Sequence, residues 1–173
     1  MNDSDSNDRE VQDHVSLNGV AHIYITVQDY ARCLPYYEAM LAFFDMQVLV
    51  RTDVLFYAVG SRTGIGIRAA SAEHADTPFD QYRAGMHHLC LRARSRGDVD
   101  RCGAFIADLC ARHGGRILHM PVEDGWAPGY YSLLWEDPCG TRLEINHVPG
   151  KGNLDPMVDL PLKGDVQTLL SQP

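Results

Sequence analysis

Two histidines occupy matching places in the two halves of this 173-residue chain, and a glutamate in the second half adds a third side chain with metal-binding donor atoms. His22 lies in the run VAHIYITV, and His88 lies 66 residues later in the similar run GMHHLCLRA. Glu144 ends the short run GTRLE in the second half. Imidazole nitrogen and carboxylate oxygen are both ligands of divalent transition metals. If the two halves fold alike, these three residues can converge on one point, which is the geometry of a metal site.

Strand periodicity indicates which neighbours share a face with these candidate ligands. Side chains two residues apart lie on the same face of a strand, so His88 shares a face with Cys90, and Glu144 shares one with Arg142. His87 then points to the opposite face, towards the helices, and it is the alternative ligand. The polar faces of these strands carry the candidate site.

The elements that must position His22 can be read from the first half of the chain. Residues 20–27 are rich in β-branched and aromatic side chains, which predicts a strand. Asp29 can cap a helix over about residues 30–41, and Pro35 fits such a helix best in its first turn, which favours a late start. Three shorter strands are predicted over residues 47–51, 54–59 and 64–69.

The same order of elements returns in the second half. The pattern predicts a strand over residues 85–93 and then a helix, capped by Asp98, that runs to about Arg112 and ends at Gly114 and Gly115. Three strands follow over residues 116–120, 130–135 and 141–148. Each half therefore has the order β-α-β-β-β, and an internal duplication is the simplest explanation.

The charge balance excludes several classes of partner. The formal net charge is −8 and the sequence pI is near 5.3, so the chain lacks the cationic surface that nucleic acids and anionic membranes require. The sequence contains neither a signal peptide nor a spanning segment. We therefore expect a cytoplasmic protein whose five cysteines are reduced thiols.

Three regions are predicted along the chain. Residues 1–16 are polar and acidic and predict a disordered arm, and residues 17–148 form one domain with modules over about 19–70 and 85–148. Residues 149–173 form a C-terminal extension whose apolar residues could cover the domain or a partner subunit.

The stretches VAHIYITVQDYARCLPYYEAML, GMHHLCLRA and WEDPCGTRLEINHV resemble the vicinal oxygen chelate superfamily, which includes glyoxalase I, fosfomycin and bleomycin resistance proteins and extradiol dioxygenases. The resemblance implies an α+β fold in which two tandem β-α-β-β-β modules form a cupped mixed sheet around a metal site. It also implies one divalent metal per chain, with His22, His88 and Glu144 as ligands, and a homodimer.

One departure from the glyoxalase pattern favours a particular chemistry. Glyoxalase-type members have a fourth ligand, usually a carboxylate, where this chain is expected to have Arg68, and a guanidinium cannot bind a metal. Two histidines and one carboxylate form the triad typical of Fe(II) enzymes that use O₂. We therefore expect a single-domain Fe(II) extradiol dioxygenase, an oxidoreductase that cleaves a small catecholic substrate with O₂, of the kind used in secondary metabolism.

Other residues are expected to serve such a reaction. His119 is the preferred acid–base residue, because it ends a strand and histidine titrates near neutral pH. Tyr130 could donate a hydrogen bond to an oxygen atom on the metal. Arg68, His74 and Arg142 are the candidate substrate-binding residues, with Arg68 suited to a substrate carboxylate.

Two alternatives remain open at this point. The first is a redox-neutral lyase, isomerase or epimerase that uses Ni, Zn, Mn or Co as a Lewis acid. The second is a metal-free protein that binds a small molecule, similar to the bleomycin resistance proteins. Fe(II) is favoured because Arg68 removes the fourth protein ligand.

Overall fold

The first half of the chain folds in the order that its sequence pattern predicts. In the computed structural model, which describes residue 17 and residues 19–149, this module comprises β1 (His22–Val27), α1 (Tyr30–Phe43), β2 (Gln47–Arg51), β3 (Leu55–Gly60) and β4 (Thr63–Ala69). A single 3-10 turn over Ala72–His74 follows. The predicted arm at 1–16 and, apart from Pro149, the predicted extension lie outside the described residues.

Helix α1 begins where its cap predicts, but Pro35 does not lie in its first turn. The Asp29 carboxylate accepts a hydrogen bond from the backbone N–H of Arg32 at 3.0 Å, which fixes the start at Tyr30. Pro35 is therefore inside the helix, and the prediction of a late start is wrong. Pro35 is exposed, and because it has no N–H it cannot donate a hydrogen bond to the carbonyl of Ala31.

The second half repeats this order with β5 (Leu89–Arg92), α2 (Arg96–His113), β6 (Arg116–Glu123), β7 (Tyr131–Glu136) and β8 (Arg142–His147). Ser95 caps α2, so the prediction that Asp98 is the cap is wrong. The Ser95 hydroxyl accepts a hydrogen bond from the Asp98 N–H at 3.1 Å and donates one to the Asp98 carboxylate at 2.7 Å. Strand β5 is shorter than predicted, and His88 immediately precedes it.

The eight strands form two separate four-stranded sheets, in the orders β1-β4-β3-β2 and β5-β8-β7-β6. In each sheet the first and last strands of the module pair in parallel, while the other pairs are antiparallel. The α+β class and the two tandem modules are as predicted. Strands β1 and β5 each lie at an open edge, and within the described residues they do not pair with each other.

The two modules pack through their helices. The rings of Phe43 on α1 and Phe105 on α2 stack with their centroids 3.9 Å apart. Beneath them, fully buried side chains from both modules form one core, including Tyr36, Ile106 and Trp135. The helices therefore cover one face of each sheet, and the opposite face is free for a binding site. Among the helices of the described residues, none combines the length and apolar content needed to cross a bilayer.

A buried carboxylate strengthens this contact between the modules. Asp137, in the β7–β8 turn, is 2% exposed and accepts hydrogen bonds from the backbone N–H groups of Cys139 and Thr141 at 2.8 and 2.7 Å. Its other oxygen accepts from the hydroxyl of Tyr37 on α1 at 2.7 Å. One side chain therefore shapes the turn and ties it to the helix of the other module.

We predict that Tyr37→Phe destabilises the protein by about 1–3 kcal/mol, because it removes one hydrogen bond from a buried carboxylate. Urea denaturation of the two proteins measures this difference. Tyr131→Phe is the matched control, since its hydroxyl also donates to a carboxylate, Asp100, but in an exposed contact at 2.6 Å. Equal losses from both variants would show that the Tyr37 contact adds nothing through burial.

Candidate functional site

Glu144 is the centre of the strongest polar cluster on the free face of the second sheet. Its Oε2 atom lies 3.1 Å from Nε2 of His88, and its Oε1 atom accepts a hydrogen bond from the Tyr130 hydroxyl at 2.6 Å. The Glu144 side chain is 10% exposed, whereas that of His88 is 35% exposed. The carboxylate is therefore held inside the protein with one oxygen directed towards an accessible imidazole.

Strand pairing places these groups together. Glu144 lies in the middle of β8, where it pairs with Cys90 on β5 and with Leu134 on β7. Paired residues share a face of the sheet, so the predicted face of Cys90 and Glu144 is observed. His88 and Tyr130 occupy the positions just before β5 and β7, respectively. From these positions the side chains of His88 and Tyr130 reach the carboxylate of Glu144.

The hydrogen bonds keep this carboxylate ionised. Burial alone would raise the pKa of Glu144, but the hydrogen bonds from His88 and Tyr130 outweigh it, so the pKa lies below its usual value. Burial raises the pKa of the neighbouring Cys90 thiol to about 12, so this thiol stays protonated at neutral pH. The site therefore presents one anionic oxygen ligand and one imidazole.

The pair has the spacing expected of two metal ligands. Two ligands at right angles on one metal, each about 2.1 Å from it, lie about 3.0 Å apart. The observed 3.1 Å between Nε2 and Oε2 matches this value. Within residues 19–149, however, no third His, Cys, Asp or Glu joins His88 and Glu144 in a metal-binding group. Among the described residues, His88 and Glu144 are therefore a pair of candidate ligands and not a complete set.

His22 lies on a different sheet from His88 and Glu144, on the free face of the first sheet. It is exposed on the edge strand β1, and its ring contacts that of Tyr24 with centroids 5.6 Å apart. Tyr24 in turn stacks on Tyr57 of β3, with nearly parallel rings and a centroid distance of 5.6 Å. The third candidate ligand therefore stands at an open edge beside an aromatic surface.

The strand registers identify the first-module counterpart of Glu144. The residue two places after the candidate ligand histidine pairs with Glu144 in the second module, where it is Cys90. In the first module that residue is Tyr24, and it pairs with Gly66. Gly66 is therefore the counterpart, and the sequence-based placement of Arg68 there is wrong by two residues. A shift of two residues leaves the alternation of Ile65 and Ile67 with the other face unchanged, so the sequence pattern could not determine this register.

The glycine at this place leaves room for an aromatic ring instead of a ligand. A Cβ atom at Gly66 would lie 2.3 Å from the Tyr24 ring, and one at Gly64 would lie 2.0 Å from the Tyr57 hydroxyl oxygen. Both tyrosine rings thus lie directly against the backbone of β4. The first module has no carboxylate at the position of Glu144, while Arg68 is exposed further along the same strand.

Of the other predicted residues, His119 lies on the face of the second sheet that carries Glu144, and Arg142 contacts Glu136. His119 on β6 pairs with Leu134, which pairs with Glu144, and its Nδ1 lies 3.2 Å from the carbonyl oxygen of Met120. Arg142 is nearly buried and its guanidinium lies 3.4 Å from the Glu136 carboxylate. Arg142 therefore takes part in an ion pair, and its substrate-binding role stays a prediction.

The contacts of His74 and Tyr130 also differ from those expected for residues that touch a substrate or a metal-bound oxygen. His74 lines a cavity of about 230 Å³ formed by the end of β1, the 70–86 segment and the β7–β8 turn, and in the described chain none of the three candidate ligands lines it. Tyr130 does reach the site, but its hydroxyl donates to the carboxylate of Glu144. It therefore orients a candidate ligand.

Sequence reasoning missed Asp124, which follows β6. Its carboxylate accepts a hydrogen bond from the Trp126 N–H at 3.0 Å. Burial raises its pKa, the Trp126 hydrogen bond opposes this, and the negative charge of Glu144 raises it further. One weak signal in the sequence could have identified Asp124, since it is an acidic residue at the end of the strand that carries His119.

The match to a family model covers residues 19–145, which is well over half of the chain, and that model is the Glyoxalase/Bleomycin resistance protein/Dioxygenase superfamily. The chain belongs to this superfamily. None of the curated proteins matches it. The superfamily is the one called vicinal oxygen chelate, as its sequence resemblance indicates.

Solved structures of the superfamily have the same fold. A candidate glyoxalase from Bacillus halodurans has 20% identity and a TM-score of 0.62 over 76% of this chain and 96% of its own. A glyoxylase/bleomycin resistance protein/dioxygenase domain from Frankia sp. EAN1pec has 26% identity and a TM-score of 0.58 over 76% and 98%. A lactoylglutathione lyase from Agrobacterium tumefaciens has 15% identity and a TM-score of 0.52 over 76% and 94%.

We predict that Tyr130→Phe raises the pKa of Glu144 in the metal-free protein, because the lost hydrogen bond stabilises only the ionised carboxylate. An NMR titration of the Glu144 side-chain carboxyl carbon measures the change. Tyr131→Phe removes the adjacent hydroxyl, which donates to Asp100, and it should leave this pKa unchanged. An identical Glu144 titration in wild type and Tyr130→Phe would contradict the role assigned to Tyr130.

Proposed function

We propose that this chain is a metal-dependent enzyme of the superfamily, and specifically an Fe(II) extradiol dioxygenase that cleaves a small catecholic substrate. The observation that carries the proposal is the composition of the ligand set. Glu144 and His88 form a preorganised ligand pair, and Gly66 stands where a fourth ligand would be. A triad of two histidines and one carboxylate leaves coordination positions open, as O₂ chemistry requires.

His22, His88 and Glu144 would hold the metal. When bound, Fe(II) would act as a Lewis acid that lowers the pKa of the catechol hydroxyl groups, and it would provide a path for electrons to O₂. The protein groups prepare this site in advance. Tyr130 occupies one oxygen of Glu144 and so fixes the direction of the other, since outer hydrogen bonds to a carboxylate ligand orient it.

We further propose that the complete site forms between two copies of the chain. Strands β1 and β5 are both open sheet edges, and open edges pair readily with strands of another chain. His22 is exposed on β1, and His88 directly precedes β5. An edge contact between β1 of one protomer and β5 of its partner would add His22 to His88 and Glu144. A twofold dimer would contain two such sites.

The first module would then supply the substrate-binding wall. The stacked rings of Tyr24 and Tyr57 lie on the same face as His22 and suit a planar aromatic substrate. Arg68, exposed on that face, suits a carboxylate, which favours a catechol with an acidic or amino acid side chain, as used in secondary metabolism. His119 is our candidate acid–base residue, because it lies on the face that carries Glu144.

The decisive experiment uses full-length protein loaded with Fe(II) under anaerobic conditions. We expect about one iron per chain, and O₂ uptake with a coloured ring-opened product when a panel of catechols is added. Glu144→Gln should lose the iron while retaining the far-UV circular dichroism of the wild type. Turnover without O₂ and with Ni, Zn, Mn or Co would instead support a redox-neutral lyase, isomerase or epimerase. Ligand binding without any metal would support a binding protein.

Mixing two inactive variants tests the shared site. His22→Ala and Glu144→Gln each destroy both sites of a homodimer. In a mixed dimer one shared site carries both substitutions and the other carries neither, so equal mixing after partial denaturation should restore about a quarter of the wild-type activity. Sites contained within single chains would give no recovery. Mixing His88→Ala with Glu144→Gln is the matched control, since both lie on one module and should not complement.

A further inference from the structure

Two cysteines from different modules meet at the contact between α1 and the β7–β8 turn. The Sγ atoms of Cys33 and Cys139 are 2.7 Å apart, although the residues are 106 positions apart in the sequence. This separation is shorter than the 3.5–4.0 Å of ordinary carbon contacts, and it is within about 0.7 Å of the length of a disulfide bond. Both are free thiols in this structure.

The backbone around both thiols is held in place by other contacts. Cys33 lies one helical turn before Tyr37, and Cys139 lies two residues after Asp137, whose carboxylate binds the Tyr37 hydroxyl at 2.7 Å. The N–H of Cys139 donates to the same carboxylate at 2.8 Å. A bond between the sulfur atoms would therefore join two segments that are already fixed relative to each other, so little movement is required.

Solvent can reach one of the two sulfur atoms. Cys33 is completely buried, whereas Cys139 is partly exposed and lines the cavity of about 230 Å³ at the end of β1. The hydrogen bond from the Cys33 thiol lowers the pKa of Cys139 and raises that of Cys33. The accessible sulfur is thus also the better nucleophile, because the thiolate is the reactive form.

We propose that Cys33 and Cys139 form an oxidisable dithiol that a hydroperoxide converts to a disulfide between the two modules. The Cys139 thiolate attacks one oxygen of the hydroperoxide, so an S–O bond forms, the O–O bond breaks, and the alcohol or water leaves with a proton. Cys33 then attacks the sulfenic sulfur of Cys139. The S–S bond forms and the S–O bond breaks, and water leaves with the remaining proton. Two thiols lose two electrons, and the hydroperoxide gains them.

Stoichiometric hydrogen peroxide added to the reduced full-length protein tests this proposal. We expect titratable thiols to fall from five to three, and unreduced peptide mapping to show one cross-linked peptide that contains Cys33 and Cys139. The midpoint of thermal unfolding should rise by roughly 5–15 °C, because the bond closes a long loop, and dithiothreitol should reverse the rise. Five unreacted thiols, or a cross-link between any other pair, would overturn it.

Two variants locate the reaction. Cys139→Ser should abolish both the cross-link and the thermal shift, and since this side chain is partly exposed the variant is expected to fold. Cys102→Ser is the matched control, because Cys102 is buried in α2 and should leave the cross-link intact. A thermal shift that persists in Cys139→Ser would show that the dithiol is not its source. None of these measurements depends on the metal or on catalysis.

Discussion

In each module the last strand returns to pair in parallel with the first, and this pairing determines where every other group can lie. The connecting helix must cover one face of the sheet, since a parallel connection crosses over that face. The first strand is left at the edge, with its outer side unpaired. His22 and His88 therefore belong to the least enclosed part of each sheet, while Glu144 is one strand further in and is buried. Exposure of the imidazoles and burial of the carboxylate follow from one topological rule.

The sequence predicted those features that depend on local chemistry. Asp29 fixed the start of α1, and the period-two pattern placed Cys90 and Glu144 on one face, because both signals act over a few residues. The register between strands is different, since it depends on pairing across long separations. Gly66 and Arg68 lie two residues apart on the same face of β4, so the period-two pattern fits either residue equally well and could not exclude Arg68.

The relative placement of the two modules also could not be predicted from the sequence. A repeat shows that two units are alike, but it does not show which surfaces of them meet. The helices of this chain pack on each other, through the ring stack of Phe43 and Phe105 and through the buried carboxylate of Asp137. The eight strands form two sheets, and the described strands β1 and β5 do not pair with each other. The membership of the superfamily, by contrast, could be inferred from three short stretches of sequence.

The two halves of the repeat have become chemically unlike at one equivalent position. The second module has a carboxylate there, held by Tyr130, and the first has Gly66 beneath the ring of Tyr24. At this position one half therefore has a carboxylate, and the other has an aromatic ring packed on the backbone. Substitutions at the tyrosines can change this aromatic surface without changing the charge of Glu144, because the two groups lie in different sheets. A duplicated fold can therefore keep its backbone pairing in both halves while the side chains on the two free faces diverge independently, because each face belongs to a separate sheet.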